Sequence, residues 1–341
     1  MVMEYLLQFS GLRQFAHEVY VLPDSKIEAG LADKTVNMFD ALNTPQNMVL
    51  FWVFAALIAA IIVVAMYLRF QPTFKRIGAS LDKTSSWALV LIRLAFGISL
   101  LFSVAYSALY GPELPLADFP YPTVLTAVLT ITGIALTIGF KIRFFAIIAV
   151  LIWLFAFAVN GPYLFTYINY LGEALALILL PVRTFSIDGL LARGKKLPTY
   201  RYESYSLPVA RILFAISLLY TAITIKFLST ALTLDVAVDF ELARYLPFDP
   251  LFIVLGASMI EVLVGLLFLF GLMQRFTAVI FLFVMVLSVL FFKEAVWPHL
   301  LIIVLGLGVL LHKPDRLTLD LQWLSKCTSL KSALFFKRRT P

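Results

Sequence analysis

The feature that most constrains this chain is a series of long, almost uncharged apolar runs separated by short charged loops. A span needs about 20 mainly apolar residues to cross a hydrocarbon core of about 30 Å. Nine stretches meet or approach that length: 47–69, 86–110, 122–140, 144–160, 163–181, 207–229, 250–270, 275–292 and 296–312. The fifth and the last two are short and read as tilted or partly re-entrant. Composition agrees with the runs. Apolar residues make up 62% of the 341 and charged residues 14%, where a soluble domain carries roughly 25% charged. With mean hydropathy at +0.95, such a chain cannot hide its surface in water at this size. A soluble enzyme, a disordered tail and a nucleic-acid-binding domain are excluded. The expected fold class is an all-α polytopic membrane protein of about nine transmembrane helices.

Basic residues set the expected orientation. Arg69, Lys75, Arg76 and Lys83, the pair Lys141 and Arg143, the connector 182–206, Arg275 and the tail from Lys313 place nineteen of the 27 Lys and Arg on one side. Five lie on the other side, and Arg93, Arg211 and Lys226 fall within spans. By the positive-inside rule the amino terminus is outside and the carboxyl terminus cytoplasmic. The outer loops are acidic, with Glu113 and Asp118 in one and Asp235, Asp239, Glu241 and Asp249 in another. Residues 1–20 lack a basic n-region and a continuous apolar core, so no signal peptide is expected. Leu6, Phe9, Leu12, Phe15 and Val19 fall near helical spacing, which suits an interfacial amphipathic helix or a plain extracytoplasmic lead-in. The short loops and clean charge asymmetry point to the plasma (inner) membrane of a bacterium or archaeon.

An internal repeat sets the domain organisation. RLAFGISLL from Arg93 and RILFAISLL from Arg211 share Arg-x-x-Phe-x-Ile-Ser-Leu-Leu, 118 residues apart. From there the offset becomes 132: Gly133 and Gly139 with Arg143 correspond to Gly265 and Gly271 with Arg275, and Asp188 corresponds to Asp320. A longer acidic outer loop in the second half absorbs the difference. The expected units are a lead-in over 1–46, a first helix over 47–70, four-helix repeats over 86–192 and 207–320, and a basic tail over 321–341. Each repeat begins and ends in the cytoplasm, so the two are parallel. Gly97, Gly133, Gly139, Gly265 and Gly271 read as close-packing points between helices.

These residues resemble the DoxX/DoxD family: an arginine opening a first helix, a Gly-x5-Gly-x3-Arg turn between the second and third, and a four-helix unit closing near an Asp. The resemblance covers Arg93 to Asp320 as a tandem of two units. It implies a subunit of a terminal quinol oxidase or of a thiosulfate:quinone oxidoreductase. Relatives with the same unit include thiol-redox maturation proteins and eukaryotic chaperone or cargo-receptor proteins, so the resemblance speaks for the fold more firmly than for the activity. Two departures stand out. There is no thiol pair, Cys327 being the single cysteine, and a helix with an external segment precedes the repeats. His17, His299 and His312 offer no pair at helical spacing for haem or zinc, so no intrinsic cofactor is expected.

Charges inside spans are costly and usually face a partner or a cavity. Arg93 and Arg211 suit snorkelling to the inner interface, a structural ion pair, or a head-group or substrate anchor. Glu261 lies about 15 Å deep at 1.5 Å per residue, and Glu173 is also near the midplane. Either would be protonated or paired, with Arg93 or Arg211 as candidate partners, and either suits a proton carrier, a substrate ligand or a helix-to-helix hydrogen bond. Lys226 is expected to reach outward to Asp235 or Asp239. Two outer turns are aromatic: Asn160 to Tyr170, with Tyr163 and Tyr167, and Lys293 to His299, with Trp297. They read either as an interfacial belt or as an aromatic vestibule for a quinone ring, with His299 titratable beside it. Quinone chemistry moves protons with electrons, so a carboxyl or imidazole near the ring would act as acid or base.

Three functions follow. The first is a quinone-interacting subunit of a redox system, with Glu173, Glu261 and His299 handling protons, Arg93, Arg211, Asn160, Tyr163, Tyr167 and Trp297 binding substrate, and a partner protein supplying electrons. The second is a non-catalytic assembly factor, scaffold or lipid-binding subunit of a larger complex, docked through the first helix. The third is a proton-coupled transporter, ranked lower because no broken helix pair is evident. Membrane lipid and a protein are the expected partners. The basic tail Lys337-Arg338-Arg339 is read as a topology determinant and anionic-lipid contact, and no nucleic acid is expected.

Overall fold

The computed structural model describes residues 22, 24–179, 184–192, 202–292, 297–313 and 317–319. The amphipathic stretch Leu6 to Val19, Lys293 to Val296 of the second aromatic turn, Asp320, Cys327 and the tail lie outside them. The described residues are all-helical, without strands. α1 spans Asp24–Ala32 and a 3₁₀ turn Met38–Asn43, followed by α2 (Pro45–Leu68), α3 (Pro72–Asp82), α4 (Ser85–Ala105), α5 (Pro122–Ile138), α6 (Ile142–Asn160), α7 (Ile168–Leu179) and α8 (Ile187–Leu191). The remainder is α9 (Ser206–Thr221), a π-helical turn (Ala222–Phe227), α10 (Thr230–Asp239), α11 (Leu242–Tyr245), α12 (Pro250–Phe270), α13 (Gln274–Phe292) and α14 (Trp297–Leu311).

Six of the helical runs are long and apolar enough to cross a membrane, and α5 and α14 are shorter apolar helices. The run Ile142–Leu179 counts once by length, yet it folds back on itself. Gly161, at φ +63°, breaks it into α6, a 3₁₀ segment Gly161–Tyr167 and α7. Trp153 Nε1 donates to the Tyr167 carbonyl at 3.0 Å, and Arg143 Nε to that of Ile178 at 3.0 Å. Those two bonds run across an antiparallel pair. Boundaries follow local chemistry. Pro45 and Pro250 begin α2 and α12 behind Thr44 and Asp249, whose side chains accept the first backbone N–H groups. The expected run 86–110 ends sooner, at Ala105, because Ser107 and Tyr110 take positive φ and turn 106–121 into a compact loop.

The packing pairs correspond between the halves. α4 packs on α5, α6 on α7, α9 on α12, and α13 on α14, while the last helix of each half packs on the first of the other: α7 on α9, and α14 on α4. The arginines do likewise. Arg93 is fully buried and donates to the carbonyls of Leu136 (2.9 Å), Thr137 (3.1 Å) and Phe185 (2.8 Å). Arg211, equally buried, donates to Phe268, Leu269 (3.0 Å) and Leu317 (3.2 Å), each acceptor 132 positions on. Arg143 and Arg275 bond Ile178 and Leu310 at that same spacing. A helix C-terminus leaves carbonyls without intrahelical donors and carries partial negative charge, and a guanidinium answers both. Gly139 and Gly271, read from sequence as packing points, are instead the left-handed caps of α5 and α12, at φ +71° and +64°. A Cβ on Gly139 would stand 2.3 Å from the Arg93 guanidinium.

α2 stands apart from this bundle: of its 24 residues Ala65 alone is buried. Phe54 meets Phe248 and Phe252, with ring centroids 5.6 and 6.3 Å apart. α1 docks on α10, where Lys26 pairs with Asp239 at 2.6 Å.

Candidate functional site

The sequence places Tyr163, Tyr167, Tyr170 and Glu173 at spacings of four, three and three, so they form one stripe along the 3₁₀ segment and α7. All four are buried. At the loop end, Tyr163 donates to Glu113 Oε1 at 2.7 Å and Tyr167 donates to the same oxygen. Loop 106–121 delivers Glu113. Its turns are closed by Leu109 N–H to the Leu114 carbonyl (2.7 Å) and Leu114 N–H to the Gly111 carbonyl (3.1 Å). Gly111 is required by close approach, since a Cβ there would fall 1.9 Å from the Tyr167 hydroxyl. The loop also turns Tyr110 inward, 1% exposed, with its ring centroid 4.3 Å from that of Tyr170 and 6.0 Å from that of Tyr167. The Tyr170 hydroxyl shares a 2.7 Å hydrogen bond with Ser99 of α4 and donates to the Tyr110 carbonyl at 3.3 Å.

One turn further into the bundle is Glu173. Its side chain is fully buried, with the Asn169 side chain as its polar neighbour and no ion pair among the described residues. Asn169, 2% exposed, lies one turn before it. Its neighbour Gly172 lets α9 approach, a Cβ there standing 2.8 Å from Leu213 Cβ. The pairing suggested from sequence, Glu173 with Arg93 or Arg211, is replaced by arginine bonds to helix-terminal carbonyls.

Glu261 has a different environment. It forms an ion pair with Lys226, the two side chains 18% and 16% exposed. This corrects the expectation that Lys226 reaches to Asp235 or Asp239. Lys226 sits in the π-helical turn 222–227. A π turn holds an extra residue and moves every later side chain round the helix. Lys226 therefore meets α12, while Asp239 is held by Lys26.

The other predicted residues are placed by other contacts. The Asn160 amide bonds the Ala156 carbonyl on its own helix at 3.1 Å. Trp297 stacks on Tyr106, centroids 4.9 Å apart and planes 5° from parallel, and its indole nitrogen is buried without a hydrogen-bond partner among the described residues. His299 is buried two residues on. Of the predicted set, the structure thus unites Tyr163, Tyr167 and Glu173 on one stripe. Sequence reasoning missed Tyr110, Ser99, Tyr170 and the role of Glu113. The stripe spacing was the available signal for Tyr170, whereas Tyr110 and Ser99 come from distant positions with no local signal.

The second half of the chain can be compared with known families. Residues 206–294 match the DoxX family model. This DoxX segment starts with α9 and extends just past α13, and so includes Arg211, the π turn, the Lys226–Glu261 pair and the Gly271 cap. The tyrosine stripe lies in the other half, outside it. No curated protein and no solved structure matches the chain. Its apolar helices and the DoxX segment make it an integral membrane protein.

Proposed function

We propose that this chain is a quinone-interacting membrane subunit of a redox system, in which Glu173 handles protons and a partner protein exchanges the electrons. The observation that carries this reading is the Glu173 carboxyl, fully buried with no ion pair among the described residues. A buried carboxyl without a cation beside it is destabilising, and such groups persist where they are used. The stripe Glu113–Tyr167–Tyr170–Glu173 supplies hydroxyl and carboxyl groups from the loop to the interior. Oxidation of a quinol releases two protons and two electrons. In this reading the protons leave through Glu173 and the stripe, and the electrons pass to the partner. The flat ring of Trp297 on Tyr106, with a buried indole N–H, suits the quinone ring and its carbonyl oxygen. Tandem DoxX-type units account for the equal arginine contacts 132 residues apart, and the expected setting is a bacterial or archaeal plasma membrane with the stripe opening outward.

The test is Glu173→Gln in the native membrane. Quinol-linked turnover should fall by about a hundredfold or more, the scale of a lost acid–base group, with the chain accumulating normally. Unchanged turnover, or loss of the chain itself, would assign Glu173 a structural place.

A second reading, a scaffold or assembly subunit, is favoured by the exposure of α2. Trp52, Val53, Leu57, Val63 and Val64 are each more than half exposed. Removing residues 1–70 should then release a co-purifying protein while the other helices accumulate. Retention of every co-purifying protein would oppose it.

A further inference from the structure

α3 joins two apolar helices. α2 ends at Leu68 and α4 begins at Ser85, so residues 69–71 and 83–84 hold both ends of α3 level with the ends of those helices. None of its residues is buried. Phe74, Ile77, Gly78 and Leu81 share one face at helical spacing, continued by Phe70. Phe70, Phe74 and Ile77 are 44%, 46% and 50% exposed. Lys75 and Arg76 lie off that face, exposed, and Lys83 is exposed at the helix end. Asp82, the one carboxylate between Arg69 and Ser85, accepts from Arg275 at 2.5 Å. Arg275 also donates to the Gly78 carbonyl at 3.1 Å, which ties α3 to the bundle. The segment therefore presents cations whose nearest acid in sequence is already engaged.

We propose that α3 is a binding site for anionic phospholipid of the surrounding bilayer. Phe70, Phe74 and Ile77 sit at the acyl boundary, while Lys75, Arg76 and Lys83 hold phosphate head groups. Helices with an apolar face and a basic one lie in the interface in this way. Tethering by α2 and α4 removes the cost of bringing α3 there, so the basic residues act as selectors of head-group charge.

The test uses the full chain in vesicles of phosphatidylcholine with a minority of phosphatidylglycerol. After mild solubilisation, native mass spectrometry reads the lipid retained. The wild type should retain phosphatidylglycerol above its bulk share. The K75Q/R76Q variant should lose about fivefold of that enrichment per residue, the equivalent of about 1 kcal/mol each. Neutralising Lys337, Arg338 and Arg339 should leave it in place. Bulk-ratio retention by the wild type, or enrichment that follows the tail instead of α3, would overturn the proposal. If K75Q/R76Q does not accumulate, hydrogen exchange of residues 72–82 in the wild type decides. Added protection with phosphatidylglycerol over pure phosphatidylcholine supports the site, and equal exchange overturns it.

Discussion

At the residue scale, buried polar groups in this chain fall into two kinds. Arg93 and Arg211 donate to carbonyls at helix ends and Lys226 pairs with Glu261, whereas the Glu173 carboxyl has no ion pair among the described residues. The first kind should behave as structure. Lys226→Met should lower thermal stability in detergent by about 1–3 kcal/mol by leaving the Glu261 carboxyl without its cation, and Lys226→Met with Glu261→Met should recover most of the loss. Scanning fluorimetry of the two variants checks this, and an additive double variant would contradict it. Arg93→Lys should also lower the melting temperature, because an ammonium cannot reach three carbonyls with a planar fork. That Glu173 and Glu261 lie within apolar helices was legible in the sequence, because hydropathy locates the helix and counting locates a residue within it. Their partners were not. Lys226 is turned toward Glu261 by one π-helical turn that no sequence pattern announced.

At the element scale, loop 106–121 and the 3₁₀ segment Gly161–Tyr167 decide where the tyrosines meet. Apolar patterning ran the first repeat's opening span on to residue 110, since Ser107, Ala108, Leu109 and Tyr110 do not read as a turn. The helix ends at Ala105 because the loop buries Leu109, Tyr110 and Leu114 as a plug of its own. That plug leaves no room beside Gly111. Gly111→Ala should displace Tyr167 from Glu113, seen as raised hydrogen exchange over 106–121, while α4 and α5 stay protected. Unchanged exchange would show that the loop accommodates a methyl group there. The recurrence of the arginines and glycines was legible from sequence, but their roles were not, because Arg93 and Arg211 bind carbonyls at helix ends and Gly139 and Gly271 cap those helices.

At the scale of the whole molecule, the halves share their carbonyl-binding arginines and packing pairs but differ in polar content. The positions 132 beyond Tyr167, Tyr170 and Glu173 hold His299, Ile302 and Leu305, so the stripe belongs to one half and the Lys226–Glu261 pair to the other. The frame repeats, and the chemistry does not. α2 contributes little to that frame. Alanine at Trp52, Val53 and Leu57, all exposed on α2, should leave the chain accumulating with α4–α14 protected from proteolysis, and its wholesale degradation would contradict this. The proposed function requires that the chain engage a quinone. Mass spectrometry of an organic extract from mildly solubilised, purified protein tests it most directly. The account predicts isoprenoid quinone close to stoichiometric with the chain and well above its share of bulk membrane lipid. Quinone at the bulk level would contradict it.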